Sequence, residues 1–175
     1  MGESKDSFER IIDQFGRQVF NTCLGFLKDP DEAKDVAQEV FIQAYQSIDT
    51  FRGDSEISTW LYRISVNKCL ENQRKWQRSK RTHHKVDITE AQAVGSTYYH
   101  PGIHLENKER SNILLSKMDE LPESQKIAFT LNKIDGLSAN EIAKVLGKSP
   151  ASIESLLNRA KTNLKKLLKE YYEEH

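Results

Sequence analysis

The chain has 175 residues, 37% hydrophobic and 30% charged, and its 26 basic side chains balance 26 acidic ones. That length suits one domain of average size or two small ones, and the balance of polar and apolar residues suits a soluble, helix-rich protein. No apolar run approaches the length of a membrane span, the opening MGESKDSFER lacks the apolar core of a signal peptide, and Asp6 stands where N-myristoylation requires Ser or Thr, so a cytoplasmic protein is expected.

The zero net charge hides a strong polarity. Between Lys28 and Glu56 there are eight acids against three bases, and between Arg63 and Lys85 eight bases against one acid, Glu71. A chain built this way can offer one partner an acidic face and another a basic one. Cys23 and Cys69 fall in helical, partly apolar patterns and read as buried free thiols. His83, His84, His100 and His104 lie in a polar stretch without matching carboxylates or thiols, so neither metal nor cofactor is expected.

In chain order, residues 4–28 place Phe8, Ile11, Ile12, Phe15, Val19, Phe20, Cys23, Leu24 and Leu27 at helical spacing. Asp29-Pro30-Asp31-Glu32 then stops one helix and starts another, with Asp29 as cap and Pro30 in the first turn. The second helix, 30–48, should bury Ala33, Val36, Ala37, Val40, Ala44, Tyr45 and Ile48 and expose Asp35, Gln38, Glu39 and Gln43. A loop, FRGDSEIS, turns at Gly53, with Asp54 or Ser58 able to cap the next helix.

A third helix, 57–80, carries Trp60, Leu61, Ile64, Val66, Cys69 and Leu70 and continues as the basic stretch ENQRKWQRSKR. Trp76 among those cations suits stacking on a base, and it equally suits a solvated helix end with one surface ring. Residues 82–105 show no periodicity and read as a linker too long for a compact connection. A helix from Glu106 to about Met118 comes next, and Leu121-Pro122-Glu123 ends it and starts another, with Ile127, Ala128, Phe129 and Leu131.

Beyond Asp135-Gly136, Ser138 caps a helix whose Glu141 completes a capping box, and Gly147 supplies its left-handed stop. Ser149 and Pro150 open a longer helix with the apolar stripe Ile153, Leu156, Leu157, Ala160, Leu164, Leu167 and Leu168. Its other face shows Ser152, Ser155, Asn158, Arg159, Thr162 and Lys166. A short helix, a glycine turn and a longer helix with a polar, basic outer face form the pattern of a helix-turn-helix, whose Ser, Asn and Arg side chains suit base edges and phosphates. The bland alternative is an αα-hairpin with a solvated face. No P-loop, GxSxG or HExxH is present, so an enzyme is not expected.

The run DEAKDVAQEVFIQAYQSIDTFRGDSEISTWLYRISVNKCLENQRK resembles region 2 of the extracytoplasmic-function sigma factors, and LPESQKIAFTLNKIDGLSANEIAKVLGKSPASIESLLNRAKTNLKKLL resembles their region 4. The resemblance implies an all-α fold of two small domains: a region 2-like three- or four-helix bundle at 1–81 and a region 4-like helix-turn-helix domain at 106–175, joined by a flexible linker, 82–105. It implies an alternative sigma factor that binds core RNA polymerase and directs promoter recognition, DNA melting and initiation. Asp35, Gln38, Glu39 and Phe41 match the helix that meets the β′ clamp helices. Phe51 to Ser58, with Phe51 and Arg52 foremost, match the loop that pockets a flipped base of the minus-ten element. Trp60, Arg63, Asn67 and Lys68 match the helix at the melting point. Ser152, Ser155, Asn158 and Arg159 match positions that read the minus-thirty-five element, in a module that also meets the β flap. Glu154 and Leu156 stand where many family members have basic residues, which implies an altered promoter preference. An anti-sigma factor is the further partner implied.

Overall fold

The computed structural model describes residues 2–51, 53, 55–83 and 108–174, and the side chains of 8–51, 53, 55–79 and 113–173. The fold is all-α. Among the described residues the elements are α1 (Gly2–Leu27), α2 (Pro30–Ser47), a single 3-10 turn (Ile48–Thr50), α3 (Ile57–His83), α4 (Lys108–Asp119), α5 (Glu123–Lys133), α6 (Ala139–Leu146) and α7 (Pro150–Glu174). They divide into two units, Met1–Val94 and Gly95–His175. Helix α3 runs to His83, two residues past the boundary expected at residue 81.

In the first unit α1, α2 and α3 pack on one another. The middle helix buries only small side chains, Ala33, Val36, Ala37, Val40 and Ala44. That narrow stripe lets α1 and α3 come close, and they answer with larger residues: Phe8, Val19, Cys23 and Phe26 from α1, and Leu61, Tyr62, Ile64, Val66 and Cys69 from α3. Both cysteines are buried free thiols. Two buried hydroxyls are satisfied within their own helices, Thr22 Oγ1 donating to Gln18 O at 3.0 Å and Ser65 Oγ to Leu61 O at 2.8 Å. The core therefore needs no cross-helix polar partner for them.

The α1–α2 corner is built as the residues predict. Asp29 Oδ1 accepts from the backbone N–H of Asp31 and of Glu32, both at 2.9 Å, with Pro30 in the first turn. Burial raises the Glu32 carboxyl above its ordinary value, and the nearby Asp29 adds to the rise. Just before the cap, Lys28 takes φ 63°, the left-handed conformation more usual for glycine.

Some expectations fail here, because helical spacing alone does not say which flank of a stripe the neighbouring helix covers. Tyr45 is 53% exposed and Ile12 39%, although both sit at apolar spacing. Ile48 is half-buried in the 3-10 turn rather than on the helix. Phe26, outside the expected stripe, is core. At the start of α3 the first helical bond runs from Trp60 N–H to Glu56 O, 3.1 Å. Ser58 thus lies inside the helix and is not its cap, and Asp54 falls outside the described residues.

In the second unit α7 is the hub, touching α4, α5 and α6. Met118, Leu121, Phe129, Ala160 and Leu164 form one buried cluster, with Leu114, Leu115, Ile134 and Leu167 against it. Ile142, Val145, Ile153 and Leu157 fasten α6 to α7. Each such side chain contributes about 1.5–3 kcal/mol on burial. The capping box is complete: Ser138 N–H and Oγ donate to Glu141 Oε2 at 2.8 and 2.6 Å, and Glu141 N–H donates to Ser138 Oγ at 3.3 Å. Those bonds, the hydroxyl first, hold the Glu141 carboxyl below its ordinary value.

Gly147 (φ 63°, ψ 37°) ends α6, and the Lys148 N–H reaches back to Ala143 O at 3.0 Å. Ser149 Oγ accepts from Ser152 N–H at 3.2 Å, with Pro150 opening α7. These local caps set the turn between the two helices.

Both the Lys28 backbone and the Glu141 cap are open to measurement. Lys28→Gly relieves a left-handed side chain and raises stability by about 0.5–1 kcal/mol after the added freedom of the unfolded chain is counted; denaturant titration measures it. Because Glu141 is held low only in the folded state, its contribution is present above the ordinary glutamate value of 4.5 and is lost as pH falls through the folded value. The gap in melting temperature between the parent and Glu141→Gln should therefore close as the solution is acidified below that value. A gap independent of pH would show that the carboxylate does nothing there.

Candidate nucleic-acid and polymerase interfaces

Burial of Leu61, Ile64 and Cys69 sets the rotation of α3 about its own axis, and that rotation decides which side chains stay outside. Arg63 and Asn67 are exposed and Trp60 is half-buried. The Trp60 ring lies against Phe51, centroid to centroid 5.1 Å at 39°. Two aromatic rings thus meet where the loop enters α3, and a ring pair of this kind can take up the stacking a displaced base loses. The structure brings together Phe51, Trp60, Arg63 and Asn67 of the expected minus-ten set. Arg52 lies outside the described residues.

Lys68 is a different case. Its ammonium stands 3.7 Å from Glu39 Oε2 on α2 and 3.6 Å from Glu71 Oε2 one turn on. The residue expected at DNA is tied to the residue expected at polymerase. A partly exposed pair of this kind contributes about 0–1 kcal/mol, weak enough to be exchanged for another partner.

On α2 the expected polymerase residues Asp35, Gln38 and Glu39 are exposed, and Phe41 is half-buried. Beside them lies a groove of about 360 Å³, lined by Phe8, Ile12, Phe41, Ile42 and Tyr45 with Glu9 and Gln46 at its edge. Phe8 and Tyr45 meet edge to face at 5.1 Å. Ile42 is 57% exposed. Sequence reasoning missed Ile42 and put Tyr45 in the core. The signal available was that Ile42 stands opposite the small-residue stripe, an apolar side chain on the face that also carries Asp35 and Gln38. Large apolar side chains left exposed beside acids mark a contact surface more often than a solvated one.

On α7, Ser152, Ser155, Asn158 and Arg159 are all exposed on one side, as are Thr162 and Glu154. Thr162 Oγ1 donates to Asn158 O at 3.0 Å and so is turned back onto the helix. Leu156 is half-buried, a member of the apolar stripe, so its place is explained by packing. Asn163 Nδ2 donates to Gln125 Oε1 at 2.8 Å, fixing α7 against α5. Among the described residues no cluster of His, Cys, Asp and Glu is arranged to hold a metal, and no helix is long and apolar enough to cross a membrane.

Comparison with known proteins bears on both units. Residues 11–79 match the Sigma-70 region 2 family and residues 111–164 match Sigma-70, region 4. The ECF RNA polymerase sigma factor SigW of Bacillus subtilis is 31% identical over 174 residues, covering 95% of this chain and 91% of that protein. The ECF RNA polymerase sigma-E factor of Escherichia coli is 32% identical over 165 residues, covering 91% and 85%. Among solved structures, the sigma factor RpoE in complex with the anti-sigma factor NepR from Bartonella quintana shares the fold, with a TM-score of 0.70 at 21% identity over 93% of this chain and 97% of that one. CnrH in complex with the cytosolic domain of CnrY does so with a TM-score of 0.64 at 22% identity over 95% and 90%. With both regions matched in order and a relative above 30% identity along nearly its whole length, the chain belongs to the extracytoplasmic-function RNA polymerase sigma factors, non-enzymatic proteins that act with RNA polymerase in promoter recognition and transcription initiation.

Proposed function

We propose that the three exposed faces divide the work of initiation. The α2 face, Asp35, Gln38, Glu39 and Phe41, docks on the β′ clamp helices of core polymerase, and Ile42 and Tyr45 supply its apolar centre. The start of α3 opens and holds the minus-ten element, Phe51 and Trp60 stacking where bases part and Arg52, Arg63, Asn67 and Lys68 contacting the strand. The outer face of α7, Ser152, Ser155, Asn158 and Arg159, reads the minus-thirty-five element in the major groove, its unit meeting the β flap. Glu154 fits cytosine N4, a donor that a carboxylate accepts. Region 2 then spans 1–81 and region 4 spans 106–175, with 82–105 as a linker between them, and the protein works in the cytoplasm under the control of an anti-sigma factor.

The observation that carries this reading is the Phe51–Trp60 ring pair at the head of α3, on the same side of the helix as Arg63 and Asn67. A ring pair beside a cation and an amide, at the edge of a small bundle, has the parts that a splayed strand needs. The family resemblance supplies the partners, and the Bartonella relative was crystallised with an anti-sigma factor.

Run-off transcription from genomic fragments, with core polymerase alone and with the chain added, tests the function, and promoter-specific starts should require the chain. Ile42→Asp should weaken binding to core polymerase at least about tenfold, or about 1.4 kcal/mol, and change folding stability by no more than about 0.5 kcal/mol. Unchanged affinity would remove the α2 face from the polymerase contact.

A further inference from the structure

Lys68 stands between two acids that belong to different faces. Its ammonium is 3.7 Å from Glu39 Oε2 on α2 and 3.6 Å from Glu71 Oε2, one turn on along α3. The lysine side chain is 22% exposed, and both glutamates are about half exposed. Its stem is covered and its charged end is offered at the rim, where it can turn to either carboxylate. Both distances are longer than a hydrogen bond, so charge holds the three together and no fixed geometry does.

The angle about α3 tells the two acids apart. An α-helix advances about 100° per residue, which sets Glu71 about 40° from Asn67 and Lys68 about 100° from it. Lys68 therefore lies at the seam with α2, and Glu71 lies on the outward side with Asn67. Between Arg63 and Lys85, Glu71 is the one acid among eight bases. A single ammonium thus serves a carboxylate of the α2 face and the one carboxylate in the basic stretch of α3.

A cation of polymerase that takes Glu39 displaces Lys68 from it, and a phosphate that takes Lys68 draws it from Glu39. Whichever partner arrives first bears the cost of breaking this tie, and the second finds it already broken. Two ligands that each break the same bond favour one another, by equal factors in both directions. A Lys68 released from Glu39 also leans wholly on Glu71, and that carboxylate then repels a strand less.

Resting on the placement of polymerase at α2 and of the opened strand at α3, we propose that Glu39, Lys68 and Glu71 form a relay between the two faces. Docking of core polymerase frees Lys68 for the promoter strand, and the strand in turn tightens the hold on polymerase. A partly exposed ion pair is weak, so the relay supplies about two- to fivefold of coupling.

The test measures the affinity of the labelled full chain for core polymerase, with and without a saturating non-template strand from a promoter at which the chain drives run-off transcription. The ratio of the two affinities is the coupling. Contacts between strand and polymerase enter every ratio alike, so differences between variants isolate the relay. Glu39→Gln and Lys68→Gln should each lower the ratio about two- to fivefold, and the double substitution should lower it no further, because either one removes the same tie. Lys68→Arg, which keeps the charge and the reach, should retain the parent ratio. An unchanged ratio in either single variant, losses that multiply in the double variant, or an arginine variant that behaves like the glutamine one would each overturn the relay. Asn67→Ala in parallel checks the reading on which the relay rests, since it should weaken strand binding by the holoenzyme. If it does not, while the Glu39 and Lys68 variants still lower the ratio without adding, the relay stands and the placement of the strand at Asn67 falls.

Discussion

A helix can bury only one side, and the first unit turns on which side α3 buries. Leu61, Ile64 and Cys69 go inward against α1 and α2, so Arg63 and Asn67 must go outward, and Trp60 is caught between, half-covered and against Phe51. Nothing about these outward residues requires a special backbone. Their position is a by-product of core packing, which is a stable way to hold a site, because turning α3 would cost several buried side chains at about 1.5–3 kcal/mol each. The same rule applied to α2, whose inner side is entirely Ala and Val, leaves Asp35, Gln38, Glu39 and Ile42 for a partner.

The second unit uses a different device. The exposed face of α7 depends on the short connection between α6 and α7, and that connection is set by hydrogen bonds among neighbours in sequence: the Ser138–Glu141 box, the left-handed Gly147, and Ser149 with Pro150. Ile142 and Ile153 are buried on either side of it, so packing and capping agree. Agreement between local and global preferences leaves few alternative folds for the sequence to adopt.

These two devices explain how much of the molecule is legible in its residues. Caps are local, so Asp29, Ser138, Gly147 and Ser149 can be read from the chain alone, and so can the outer face of α7. Stripes show spacing, but which flank of a stripe is covered depends on where the neighbouring helices lie: hence Tyr45 and Ile12 exposed, and Phe26 buried. The tie between Lys68 and Glu39 joins residues on different helices and has no signature in the sequence. Trp76 is open to two readings by composition, and it is 52% exposed. Ser58 is a sound cap by type, but the helix has already begun at Ile57.

The central claim is that α3 presents Trp60 and Asn67 to DNA at the moment it parts, with polymerase held by a separate face. The direct measurement is run-off transcription by holoenzyme carrying Trp60→Ala and Asn67→Ala on two templates, one fully paired and one with mismatched bases across the opening segment. The account predicts that the substituted protein fails on the paired template and regains most of its output on the mismatched one, since opening is already done. Equal loss on both templates, or full activity on the paired one, would contradict it.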